Sequence, residues 1–363
     1  MDLLNVVELA KPTGFWSNII FGLENSVGHY ALALILITII IKLVVVPFDF
    51  VNRYTSKKSS RKQIEMKPEL DEINKKYANN KDMLNQKTME VYKSHNFNIM
   101  GTCLGMVVYM VFTMVVFWTL FGALRGISEY KIGDQYLQVR QEYYATYEIN
   151  VNAENEKSAY DQLSAIIEDE NITKEEKSVL KETADKNARE KYNEIQADFL
   201  WIENIWLADT TVNPVMGYNE FLKTSKLTSE QVSEVEYNLI TEPIKSESRS
   251  NNGCYILAIL AAGINLLSTF VNNWISKSRA KKRHVDVSLV TNKSNKTMTI
   301  VMPVIMGIFT LFYNAAFGIY IVAGALITLI TSPLVTLFVD MLEFDAISKE
   351  KNKSMPLYDR KRK

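Results

Sequence analysis

The chain has 363 residues with 41 basic and 41 acidic side chains, a formal net charge of zero and a mean hydropathy of −0.05. These averages describe a soluble protein and mislead, because charges are nearly absent from four stretches and dense between them. Only two cysteines occur, Cys103 and Cys254, so no disulfide framework is implied. His29, His95 and His284 stand apart, no Cys/His ligand spacing or Gly-rich phosphate loop is present, and neither a metal site nor a cofactor is expected.

The uncharged runs are Ala31–Ile41, Asn96–Leu124, Ser250–Ser276 and Thr297–Val339. The last has 43 residues, enough for two crossings joined by a tight turn, since about 20 apolar residues cross a bilayer as a helix. The expected fold is therefore an all-α integral membrane protein with five transmembrane helices at 30–50, 98–124, 254–276, 298–313 and 316–339. The connecting 51–97, 277–297 and 340–363 carry the lysine and arginine, whereas 125–253 has 14 basic against 25 acidic residues. The positive-inside rule makes the basic segments cytoplasmic and the acidic one external, with the N-terminus outside and the C-terminus inside. Cys103 and Cys254 then sit at opposite faces and do not pair. No cleavable signal peptide is expected at the start of the chain.

Residues 1–29 hold Phe15, Trp16, Ile19, Ile20 and Leu23 on one helical face, and predict an interfacial helix on the outer leaflet or a packed one. Span 1 contains a single charge, Lys42, and a lysine near the centre of a membrane helix costs about 2.5–3.5 kcal/mol. Segment 51–97 predicts a cytoplasmic helical hairpin with its turn at Ala78-Asn79-Asn80, loosely docked because its apolar positions are sparse; Pro68 should kink the first helix or open its second half. In span 2, Thr102, Met106, Tyr109 and Thr113 form a semi-polar stripe, with Arg125 as the outer cap.

The external segment has two capping boxes, Thr173-x-x-Glu176 and Thr228-x-x-Gln231, and a thin seam of Leu163, Ile166, Ile167, Val179 and Leu180, which predicts a helical hairpin rather than a compact globule. Trp201 and Trp206, in FLWIENIWLADT (199–210), are expected at the membrane surface. Span 3 carries Asn265, Ser268, Thr269 and Asn272. Span 5 carries Thr328, Thr331, Ser332 and Pro333 and ends at Asp340.

Thr38 and Lys42 are four residues apart and share a face. A bundle that turns this face and the polar stripes inward makes a water-accessible groove open to the cytoplasm, lined by Lys42, Thr38, Tyr109, Thr113, Asn265, Ser268, Asn272 and Thr328. Two other readings stand beside it: a lysine stem snorkels toward the interface, and each Thr, Ser or Asn taken singly also serves as packing glue between helices. The basic loop and tail suit ribosomal RNA or anionic lipid, or are solvated flanks.

The motifs ILITIIIKLVVVPF (35–48), YTSKK (54–58), KPELDEINKKY (67–77), MLNQKTMEVYKSHNFNIMGTCL (83–104), FLWIENIWLADT (199–210) and NLLSTFVNNWIS (265–276) resemble the YidC family of membrane protein insertases, in its five-span form. The resemblance implies a five-span core whose groove receives the polar end of a client's transmembrane segment. It places Lys42 at the family's functionally central basic residue, and Asn272 and Asn273 at its amide pair. It also implies partnership with the Sec translocon and with ribosomes, and residence in a bacterial cytoplasmic membrane. Asn98-Ile99, Cys103-Leu104-Gly105, Ala316-Phe317-Gly318, Val322-Ala323 and Leu326-Ile327 depart from the family pattern, and the charged insertion at about 127–198 has little counterpart in five-span members.

The function expected is insertion of membrane proteins without covalent chemistry, so the chain is not expected to be an enzyme. Lys42 attracts the acidic part of a client, and the groove lowers its desolvation cost. A transporter or channel that uses the same groove is the alternative, as is a scaffold whose external insertion recruits an unknown partner.

Overall fold

A computed structural model describes residues 9–97, 99–149, 151, 156–213, 215–248, 251–282 and 296–354. In chain order the helices are α1 (Phe15–Val27), α2 (Tyr30–Lys76), α3 (Lys81–Ser94), α4 (Ile99–Ala145), α5 (Glu156–Glu168), α6 (Lys174–Ile195), α7 (Tyr218–Thr224), α8 (Glu234–Glu247), α9 (Ile256–Lys282), α10 (Lys296–Leu311) and α11 (Ala315–Ser354). The described residues contain no strand beyond an isolated bridge between Phe199 and Ile202. By length and composition α2, α4, α9 and α11 suffice to cross a membrane, and α10 is a shorter apolar helix. At about 1.5 Å per residue, its 16 residues rise ~24 Å, less than the ~30 Å hydrocarbon core. The chain forms two compact units, one of Met1–Ile37, Trp118–Leu260 and Met306–Ile321, the other of Thr38–Phe117, Ala261–Ile305 and Val322–Lys363.

In the first unit α1 is packed: Ser17, Ile20 and Phe21 are buried, Trp16 donates to Thr119 at 3.0 Å and Lys131 pairs with Glu24 at 2.8 Å. Of the two readings of this helix, its inner face follows the packed one. Helix α4 does not stop at Arg125, which pairs with Glu129 on the helix surface instead of capping an end. It continues to Ala145 because 125–145 has no proline and keeps Ile132, Tyr136, Val139 and Tyr143 buried at helical spacing.

The acidic segment is more compact than the hairpin expected of it. Helices α6 and α7 pack on α8. The seam residues divide: Leu163 is fully buried, whereas Ile167 and Val179 are exposed. Aromatic rings do the packing instead, with Phe221 stacked on Tyr237 at 4.6 Å and Tyr136 at 5.0 Å from Phe221. At the centre Arg140, 1% exposed, donates to Glu236 at 2.7 Å, and the Tyr144 hydroxyl donates to the same carboxylate oxygen at 2.7 Å.

The Thr173–Glu176 capping box forms at the start of α6. Thr228 and Gln231 bond each other as well, but they close a turn, and α8 is capped by Ser233, which accepts from the Glu236 amide at 3.2 Å.

Trp206 is buried in the protein against Tyr30, with ring centroids 4.6 Å apart, and not in a surface belt; Trp201 is half-buried. The loop around Trp206 is tied to the start of α11, since Ala315 donates to the Leu207 carbonyl at 2.6 Å and Ala316 to that of Ile205 at 2.8 Å. Asp209 accepts from the Leu257 amide at 2.5 Å and so satisfies an orphan donor of the first turn of α9. Burial holds its carboxyl above the usual range, against those backbone bonds. A Cβ at position 253 would overlap the Asp209 carboxylate, which requires Gly253. Cys254 and Tyr255 follow with φ of 80° and 63°, the left-handed region that side chains rarely occupy. Cys254 is a free, exposed thiol; the side chain of Cys103 lies outside the described residues.

In the second unit α2 runs unbroken through Pro47 and Pro68 to Lys76, so its second half does not open as Pro68 suggested. The turn falls at 77–79 and Asn80 caps α3 by accepting from the Met83 amide at 3.1 Å. Met66 and Val91 are the buried apolar side chains within 62–97, and Lys62 donates to the carbonyls of His95 and Asn96. Helix α11 likewise passes Asp340 and continues to Ser354.

Candidate functional site

The site lies within the second unit and starts from α2. A four-residue step in an α-helix returns to nearly the same face, and α2 repeats that step twice over: Thr38 and Lys42, then Asp49, Arg53, Lys57 and Arg61. Helix α11 answers with Gly324 and Thr328, then Ser332, Thr336, Asp340 and Glu343.

The lower set forms a ladder of paired charges. Arg53 pairs with Asp49 at 2.9 Å and donates to the Thr336 hydroxyl at 3.2 Å. Thr336 in turn donates to the Asn272 side-chain carbonyl at 3.1 Å, and the Asn272 amide donates to Ser332 at 2.8 Å. One turn further, Lys57 forms an ion pair with buried Asp340 and reaches Ser276 at 3.5 Å. Then Arg61 lies 3.3 Å from Glu343, both nearly buried, and 3.7 Å from Glu65. Buried charges are tolerated when paired in this way.

The upper set differs. Thr38 is fully buried, and a Cβ at position 324 would lie 3.1 Å from Lys42 Cε, 3.6 Å from Thr38 Cγ2 and 3.7 Å from Lys42 Nζ. The glycine thus lets the backbone of α11 lie against the lysine stem. Lys42 is half-buried, with no hydrogen bond or ion pair to its Nζ among the described residues; Asp49, two turns along, is the acidic group that acts on it electrostatically.

The residues expected to line a groove are brought together only in part. Thr38, Lys42 and Gly324 come together, with Thr328 one turn beyond and its hydroxyl bonded to the Gly324 carbonyl at 2.7 Å. Tyr109 on α4 lies within electrostatic reach of Asp49 and Arg53, and Asn272 belongs to the ladder. Thr113 and Asn265 bond only to carbonyls of their own helices in the hydrogen bonds found for them, Tyr109 and Met110 for the one and Ala261 for the other. Ser268 is buried and its carbonyl accepts from Asn272. The backbone of Thr102 and Met106 is helical, but their side chains lie outside the described residues, as do 283–295 of the basic loop and 355–363 of the basic tail. Arg53, Lys57, Arg61, Asp340 and Glu343 were overlooked as site residues because they count toward positive-inside flanks or helix ends. Their spacing, four residues between the basic groups of α2 and three between Asp340 and Glu343, is the signal that marks them.

The helices and the buried polar ladder define a multi-pass, all-α membrane protein. The family described as 60Kd inner membrane protein matches residues 22–340, and the chain belongs to it, which is the YidC family its motifs resemble. A Fusobacterium nucleatum protein named membrane protein insertase YidC is 38% identical over 103 residues, 28% of this chain and 46% of that protein. Proteins of the same name from Citrifermentans bemidjiense and Clostridium tetani are 35% identical over 129 residues and 33% over 106, covering 34% and 29% of this chain and 22% and 46% of theirs. The chain thus spans less than half the length of these relatives. No solved structure matches it.

Proposed function

We propose that this protein is a membrane protein insertase that receives the polar or acidic part of a client's transmembrane segment at Lys42 and releases the helix into lipid. The observation that carries this reading is the contrast along α2: Arg53, Lys57 and Arg61 each have a carboxylate, whereas the Lys42 ammonium has no such contact among the described residues. A cation held at membrane depth without a counter-ion attracts an anionic group, and intramembrane ionisable residues serve as functional sites for that reason. Gly324 keeps the space beside the ammonium free of a side chain.

In this reading the cytoplasm is the wet side of the groove and the acidic segment faces outward. Nascent membrane proteins are the clients, lipid receives their apolar helices, and ribosomes and the Sec translocon are partners. The step needs no bond to be made or broken: Lys42 lowers the cost of moving a carboxylate part-way across, and lateral release into lipid completes it. Insertion of an acidic-tailed client into proteoliposomes tests it. Lys42→Ala and Lys42→Glu are expected to impair insertion while Lys42→Arg is tolerated, and crosslinkers placed at positions 42, 109 and 272 should capture the client. Full insertion by the Lys42→Glu protein would sink the electrostatic role.

A further inference from the structure

In the first unit a second feature is independent of the Lys42 groove. An open cavity of about 290 Å³ lies between α4, α7, the Trp206 loop and the turn from α10 into α11. Its floor is aromatic: Phe121 lies 4.9 Å from both Tyr313 and Phe317. Its wall is polar where Asn314 donates to Ser128 at 2.6 Å. Its rim carries two charges of each sign, Arg125 and Lys223 against Glu129 and Glu220.

Arg125 and Glu129 neutralise each other at 2.8 Å. Lys223 and Glu220, both exposed, have no ion-pair partner among the described residues. The cavity therefore offers one cation and one anion side by side over an aromatic floor. Around it the surface is apolar: Phe312, which lines the cavity, is 77% exposed, and Trp118, 6.4 Å from Phe121, is 57% exposed. An exposed aromatic collar of this kind belongs at the boundary between headgroups and hydrocarbon.

We infer that this cavity binds the headgroup of a zwitterionic phospholipid, with its phosphate on Lys223, its amine on Glu220 and its acyl chains along Phe312 and Trp118. The volume suits a phosphate with a short amine substituent and is below the range of most drug-sized sites. The balance of rim charge selects against a headgroup that is anionic only, because Glu220 would then face a charge of its own sign. The lipid would tie the α10–α11 turn to α7 at the membrane surface, a role separate from handling clients.

The test uses the full chain in detergent, titrated with dihexanoyl phosphatidylethanolamine and, separately, dihexanoyl phosphatidylglycerol, with bound lipid counted by native mass spectrometry. One saturating equivalent of the ethanolamine lipid is expected, with weaker binding of the glycerol lipid. Lys223→Glu and Glu220→Lys should each weaken binding about ten-fold, which is the loss of roughly one charge contact, and the double exchange should restore it. Both positions are exposed, so the helical content of each variant should match the parent, which circular dichroism checks. Absence of saturable binding, equal binding of the two lipids, or affinity unchanged in both single variants would overturn the assignment.

Discussion

Arg140 is a buried cation and Lys42 a half-buried one, and the protein treats them in opposite ways. Arg140, in the first unit, is 1% exposed and is held by Glu236, with Tyr144 donating to the same carboxylate. Lys42, in the second, packs its stem on Gly324 and has no ion pair among the described residues. Truncating one member of a buried pair leaves the other charge uncompensated, so a satisfied pair is a structural element. A charge kept without a partner adds nothing to folding, and this sets Lys42 apart from Arg140. The ladder from Arg53 to Glu343 sides with Arg140 on this scale although it shares a helix with Lys42.

The largest expected effect lies at the satisfied pair. Arg140→Ala should cost about 3–5 kcal/mol of stability because it strands Glu236, read as a fall in the unfolding midpoint of the full chain; the double change Arg140→Leu with Glu236→Leu should recover most of it. A loss below 1 kcal/mol would erase the distinction from Lys42.

Asp340→Ala should cost about 1.5–3 kcal/mol, the range for hydrogen bonds to charged groups. Exchanging the charges, Lys57→Asp with Asp340→Lys, should restore part of it in the same unfolding assay. Gly324→Leu should cost about 1–3 kcal/mol by overpacking and should also move Lys42, so that the crosslinking yield from position 42 falls.

Lys42→Met, by contrast, should cost no stability and should raise the unfolding midpoint, since no partner is stranded and the expense of a lysine at membrane depth is relieved. A clear loss would show that Lys42 is structural after all.

The smallest effect is local, at the cap of α6. Hydrogen bonds from the Thr173 amide and hydroxyl hold the Glu176 carboxyl below its usual range. A depressed carboxylate contributes fully above its unfolded value and loses that contribution as pH falls through the folded one. The protection factors of the amides at 174–177, measured on the whole chain and so corrected for the intrinsic slowing of exchange in acid, should therefore fall on acidification, and Thr173→Ala, which keeps the amide donor and loses the hydroxyl, should weaken this pH dependence.

What could be read in the sequence was local. Apolar runs long enough to cross a membrane, the Ala78–Asn80 turn, the Thr173–Glu176 box and the shared face of Thr38 and Lys42 all follow from chain periodicity and short-range hydrogen bonding, which neighbours within a few residues determine. The same reasoning misplaces the Thr228–Gln231 box, since Ser233-x-x-Glu236 offers a competing cap five residues on, and it ends the helices at Arg125 and Asp340, whereas α4 and α11 continue past these charges.

Tertiary structure alone decided which charges are spent on one another. Lys57 meets Asp340 across 283 residues of sequence and Arg140 meets Glu236 across 96, and no local pattern specifies those pairings. It also decided that Gly324, one glycine in an apolar helix, is the surface on which Lys42 lies. Sequence periodicity says which face of a helix is polar. Only packing says which polar groups on that face find a partner and which do not.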